Sequence, residues 1–115
     1  LALNNLFIET MQSYNEYLEN IVLGSDSIIS KIQNNEVPQA LQLILQFSEG
    51  MTWLIDVNHK LKELGYDNEL NHESIQGFLS EINNGLEIQD YVLVSDIFEY
   101  EIKPFFESCS LYEIK

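Results

Sequence analysis

Apolar residues recur in an unbroken four-three alternation along the first third of the chain: Phe7, Met11, Tyr14, Leu18, Ile21, Ser25, Ile28 and Ile32. That spacing is the stripe a helix presents when it packs lengthwise against other helices. It predicts a first helix over residues 3–34, about 45 Å long at 1.5 Å per residue. The weak point is Gly24-Ser25-Asp26, since a glycine followed by Ser and Asp can end one helix and cap the next. The stripe passes through it in phase, with Ser25 as a small seam residue, so one continuous helix is expected, bent there at most.

Asn34-Asn35-Glu36 reads as a short turn, and Pro38 suits a first helical position, where its missing N–H is no loss. A second stripe of Phe47, Gly50, Met51, Leu54, Val57 and Leu61 predicts a helix to residue 64, stopped by Gly65 as a left-handed cap. So short a link makes the two helices an antiparallel hairpin. Residues 66–71 form the longest connection and the hinge between halves. Asn71 is the expected cap of a shorter third helix over residues 72–84, with Ile75, Phe78, Leu79 and Ile82 inward and Asn83-Asn84-Gly85 as its end. Ile88, Tyr91, Ser95, Phe98, Ile102, Phe105 and Cys109 then stripe a fourth helix. Pro104 should kink its last two turns, because it cannot bond back to Tyr100. The expected fold is all-α: one domain over residues 1–115, an antiparallel up-down-up-down four-helix bundle with a long first and a short third helix.

Composition narrows the partners. A chain of 115 residues, 45 % of them hydrophobic, is large enough to close a core without disulfides or metal. Five lysines, no arginine and nineteen acids give a net charge of −14. Nucleic acid and anionic membranes are repelled by such a surface, and phosphate recognition lacks the guanidinium fork. Neither is an expected partner. The acidity serves solubility, or a basic protein partner. Cys109 is the only cysteine, so no internal disulfide is possible and a reducing, cytoplasmic setting is expected. Its place on an apolar stripe marks a buried structural thiol. No apolar run is long enough for a bilayer, and no signal-peptide pattern is present.

Two carboxylate-to-histidine spacings, Asp56…His59 and Glu69…His72, match the pattern that di-iron bundles project into their cores. At about 100° per residue, Asp56 and His59 fall about 200° and 140° from the inward Leu54, on the opposite face. The second pair lies in the hinge. Phosphate loops, nucleophile elbows and paired zinc cysteines are missing from the sequence. No catalytic residue, metal or cofactor is therefore expected, and a metal-dependent enzyme is the minority alternative.

Some apolar residues fall off the stripes. Leu45 lies opposite the inward arc of the second helix and Trp53 at its margin; Leu93, Ile97 and Pro104 form a second strip on the fourth. Central helices of a bundle can bury two faces, which would make these residues core. Otherwise Trp53, Leu93, Ile97 and Leu45 are candidate partner-binding residues, for another protein or for a homodimer, with the aromatic as anchor.

The run Asp90-Tyr91-Val92-Leu93-Val94-Ser95-Asp96-Ile97-Phe98-Glu99-Tyr100-Glu101-Ile102-Lys103-Pro104-Phe105, with Ala40-Leu41 and Trp53-Leu54 upstream, resembles a family of small uncharacterised proteins from Gram-positive bacteria. The resemblance implies a small cytoplasmic helical protein and carries no catalytic residues. In outline the chain is also similar to flagellin-export chaperones, acidic bundles whose apolar grooves receive a partner's helices. The reading that results is a non-catalytic interaction module or adaptor, with an export-chaperone-like bundle as the alternative.

Overall fold

A computed structural model describes residues 2–114, and in it the first helix passes through Gly24 without a break: α1 spans Ala2–Gln33. Every seam residue from Met11 to Ile32 is buried, and Phe7 is half-buried against Tyr66 with ring centroids 5.7 Å apart. Ser25 is tolerated in the seam because its hydroxyl donates to the Ile21 carbonyl at 2.8 Å. A methyl group built on Gly24 meets nothing within 4 Å. Gly24→Ala is therefore expected to stabilise the chain by about 0.5–1 kcal/mol through restricted backbone freedom. A urea melt checks this; a lowered midpoint would show that the space beside Gly24 is closed in solution.

The second helix, α2, spans Val37–Glu63, and α3 spans His72–Glu87. Both, like α1, end on a left-handed residue followed by an amide that reaches back into the last turn. Asn35, Gly65 and Gln89 take positive φ, and the amides of Glu36, Tyr66 and Asp90 donate to the carbonyls of Lys31, Leu61 and Gly85. Asn71 caps α3 as expected, accepting from the Ser74 amide at 3.0 Å.

The expected end of the third helix at Asn83-Asn84-Gly85 is overturned, because α3 runs on to Glu87 and Gln89 makes the turn. Gly85 serves packing instead. It is buried, and a methyl there would stand 2.8 Å from Val94 Cγ2, so its smallness lets the next helix approach. Ile88 leaves the predicted stripe and is 70 % exposed, since it precedes the Asp90 cap of the fourth helix.

That fourth helix has three parts: α4 (Tyr91–Ile97), a π turn (Phe98–Ile102) and α5 (Lys103–Glu107). Pro104 sits in the first turn of α5, and the break it imposes is absorbed by the π turn just before it, where the Lys103 amide reaches back to Phe98. A π turn inserts one residue into the helical register. The seam therefore passes from Ile102 to Phe106, which is buried, while the predicted Phe105 is half-buried at its edge. Ile97 is corrected too: it is 1 % exposed and belongs to the core, not to a surface strip. Cys109 lies past the end of α5, outside the helix.

Together the helices form the antiparallel four-helix bundle. α1 lies between α2 and the fourth helix, and α3 closes the ring on α4 and more lightly on α2. Across the centre Phe47 of α2 meets Phe98 edge-on, at 5.1 Å. Lys103 bonds Asp26 at 2.6 Å, tying the fourth helix to α1. The length of α1 sets the long axis of a body 50 × 23 × 20 Å. Among the described residues there is no strand, and no helix is long and apolar enough to cross a membrane. After α5 the chain turns back without helix across the end of the bundle that holds the α2–α3 link.

Candidate functional site

Trp53 stands out on the α1–α2 face. It is 40 % exposed, and its indole meets the Tyr17 ring edge-on at 5.5 Å. Tyr17 reaches across from α1 because Gly50 leaves it room; a methyl on Gly50 would overlap the phenol oxygen. Burial raises the pKa of that phenol, so it stays neutral. On one side of Tyr17 is a cavity of about 310 Å³ lined by Ser13, Glu16, Asn20, Gly50 and Trp53. On the other is one of about 240 Å³ lined by Ile21, Gly24, Ile28, Leu43 and Phe47. Sharing Tyr17 and Asn20, the two lie along one α1–α2 groove that the Tyr17 ring divides. Leu45 and Leu93 are 60 % and 39 % exposed but do not line it, and Ile97 is in the core. Of the four candidate partner-binding residues in the sequence, the groove collects Trp53 alone. Gly24 and Gly50, read there as a weak point and a seam position, shape its walls.

The carboxylate–histidine spacings resolve differently. Asp56 pairs with Lys60 at 3.0 Å and His59 with Glu63 at 3.1 Å, each along the outer face of α2. His72 opens α3, and its Nε2 lies 3.2 Å from Asn58 Oδ1; that oxygen only accepts, so Nε2 carries the proton. Both histidines, with Asp67, Glu69 and Glu73, border a polar cleft of about 610 Å³. It is open, with the His59 side chain 63 % exposed. Among the described residues no three His, Cys, Asp or Glu side chains are grouped to hold a metal ion.

Sequence reasoning missed the closure of residues 108–114 over the bundle end. Tyr112 is buried, with its ring edge-on to Tyr14 at 4.8 Å. The Asn15 side chain brackets its backbone, donating to Tyr112 O at 3.0 Å and accepting from Tyr112 N at 2.8 Å. Asn58 Nδ2 donates to the Tyr112 hydroxyl at 3.0 Å and to Asn68 O at 2.8 Å, while Asn68 Nδ2 donates to Ser110 O at 2.8 Å. One signal was legible: Asn58 sits between Leu54 and Leu61, at inward spacing, as a lone polar residue. Beside the returning segment, Leu18, Val22, Leu23, Phe106 and Leu111 line an apolar hollow of about 520 Å³ with Cys109. There the Cys109 thiol is half-buried and burial pushes its pKa up to about 11, which makes it a poor nucleophile.

Residues 9–111 match a family whose description reads "Domain of unknown function (DUF8042)". No curated protein and no solved structure matches the chain.

Proposed function

The chain belongs to that family, and we propose that it is a non-catalytic interaction module that seats an amphipathic helix of a partner protein in the α1–α2 groove. The observation that carries this reading is Trp53, an exposed aromatic braced by Tyr17 at the mouth of a groove that already exists in the free chain. Aromatic anchors beside preformed pockets dominate interface energies. The net charge of −14 favours a partner helix with lysines or arginines flanking its apolar face. A second copy brings the same charge, so a basic partner is favoured over a homodimer.

A Gram-positive cytoplasm, where a lone thiol stays reduced, is the setting this reading takes. An export chaperone that shields a helix of a secreted subunit is its narrower form, supported by the helical-bundle architecture and the acidic charge.

Trp53→Ala is expected to weaken the partner by about 2–4 kcal/mol, or about 30- to 1,000-fold. The measurement is a titration of the partner, identified by capture on the immobilised chain, against both forms. Gly24→Leu, which fills the far end of the groove, should weaken the same partner. Unchanged affinity in both variants removes the groove from the account. Stoichiometric iron, manganese or zinc in the purified chain would replace the reading with a metal-dependent enzyme.

A further inference from the structure

We propose that the bundle end holds a receptor for an extended, tyrosine-bearing peptide, filled here by the chain's own residues 108–114, and that an extended segment of a partner protein takes their place. The receptor uses none of the residues of the Trp53 groove.

Its chemistry is that of peptide recognition. Asn15 satisfies both the N–H and the C=O of one residue, Tyr112, with one planar amide. Such a bracket reads extended backbone whatever the side chain. Asn68 holds the carbonyl of Ser110, two residues earlier. In extended chain, alternate residues face the same side, so Ser110 and Tyr112 are gripped along one edge. Selectivity comes from the ring seat on Tyr14 and from the Asn58 amide, which donates to the phenol oxygen. A site built to bond a hydroxyl discriminates against an occupant without one.

The gripping groups belong to α1, α2 and the α2–α3 link, so the receptor is put together by the bundle rather than by its occupant. The occupant, by contrast, has no helix, and Ser110, Leu111 and Glu113 are exposed. Tyr112 is its one core residue, with Cys109 and Ile114 packed only partly against the core, and a short non-helical segment of this kind opens at lower free energy than the helices around it. The fit is also incomplete. Tyr14 is fully buried; the Asn58 and Asn68 amides, both donors, lie within reach of its hydroxyl, and among the described residues that hydroxyl finds no acceptor. An occupant that offers an acceptor there binds better than the chain's own segment, because an unpaired buried hydroxyl is unfavourable. The charge of −14 on each copy disfavours exchange between two identical chains and favours another protein as the source.

The test uses a fluorescent peptide with the sequence of residues 108–114 and the full chain carrying Tyr112→Ala, which empties the ring seat. Expected is binding at least tenfold tighter than to the unaltered chain, whose own tyrosine competes. A peptide with phenylalanine in place of tyrosine should bind about tenfold more weakly, and adding Asn15→Ala to the chain should abolish binding. No binding to a folded Tyr112→Ala chain overturns the proposal. If that variant does not fold, millimolar peptide is added to the unaltered chain. Hydrogen exchange at the Tyr112 amide should then quicken while that at Leu18 does not; no change overturns the proposal. Sedimentation separates the sources: the unaltered chain should be monomeric. A dimer that Asn15→Ala dissolves would assign the receptor to a second copy and overturn the choice of partner.

Discussion

Phe98→Ala should lower the unfolding free energy by about 3–5 kcal/mol, as expected for an aromatic removed from a packed core. Phe98 has no exposed surface and touches Phe47 edge-on across the centre of the bundle. Its carbonyl also closes the π turn by accepting from the Lys103 amide. The cavity left by the ring cannot simply collapse. α1 and α2 are fixed to each other along their length, and the π turn fixes the height of residue 98. Domains of this kind are stable by only about 5–15 kcal/mol, so the variant should lose a large share of its stability. Urea unfolding reads the effect as a lowered midpoint with an unchanged slope. A loss below about 1 kcal/mol would mean that the fourth helix does not cross α2 at this residue. Leu93→Ala, on the exposed side of the same helix, should change stability much less.

Asn58→Ala should lower stability by about 2–3 kcal/mol, mostly through the partners it abandons. Asn58 is buried, and one side chain serves three groups: the Asn68 carbonyl, the Tyr112 hydroxyl and the His72 ring. The Tyr112 hydroxyl is left without its partner in a buried place, while the Asn68 carbonyl and the His72 ring, beside the open cleft, are left part-buried. The C-terminal segment and the α2–α3 link should loosen together, seen as faster amide exchange at Tyr112 and Tyr66 than in the helices. Tyr112→Phe deletes one of these bonds and keeps the ring, so it should cost about 1 kcal/mol. A double-mutant cycle between the two changes should give a coupling of about 1 kcal/mol. Additive effects would show that the hydroxyl and the amide are not bonded in solution.

Much of the fold was legible. The seam of α1, the cap at Asn71 and the stop at Gly65 follow from local chemistry: a period of 3.6, a side-chain acceptor, a residue that tolerates positive φ. The errors have two causes, a residue type used for something other than its commonest role and a helical register that the sequence does not show. Gly85 looked like a helix end and is a packing glycine, while Gln89 makes the turn despite its side chain. Phe105 and Phe106 are adjacent and equally apolar, so only the π turn before Pro104 decides which enters the core. At regular helical phase Ile97 falls off the stripe, which left core and surface both open; it is buried in the core.

Trp53 was legible as an apolar residue at a helix margin, but the groove was not. Its walls need Tyr17 of α1 and Gly50 of α2 at the same height, which only the hairpin's register provides. The network around Tyr112 was less legible still. It joins Asn15 to a residue 97 positions away and runs through a segment with no periodicity. By itself the sequence determined four amphipathic helices, their order and their acidic surface, because helical phase and charge are properties of near neighbours. Which residue a buried polar side chain meets, where the π turn resets the register and what covers the end of the bundle were decided only when distant segments packed. Such contacts depend on the relative placement of whole helices, and no local pattern encodes that.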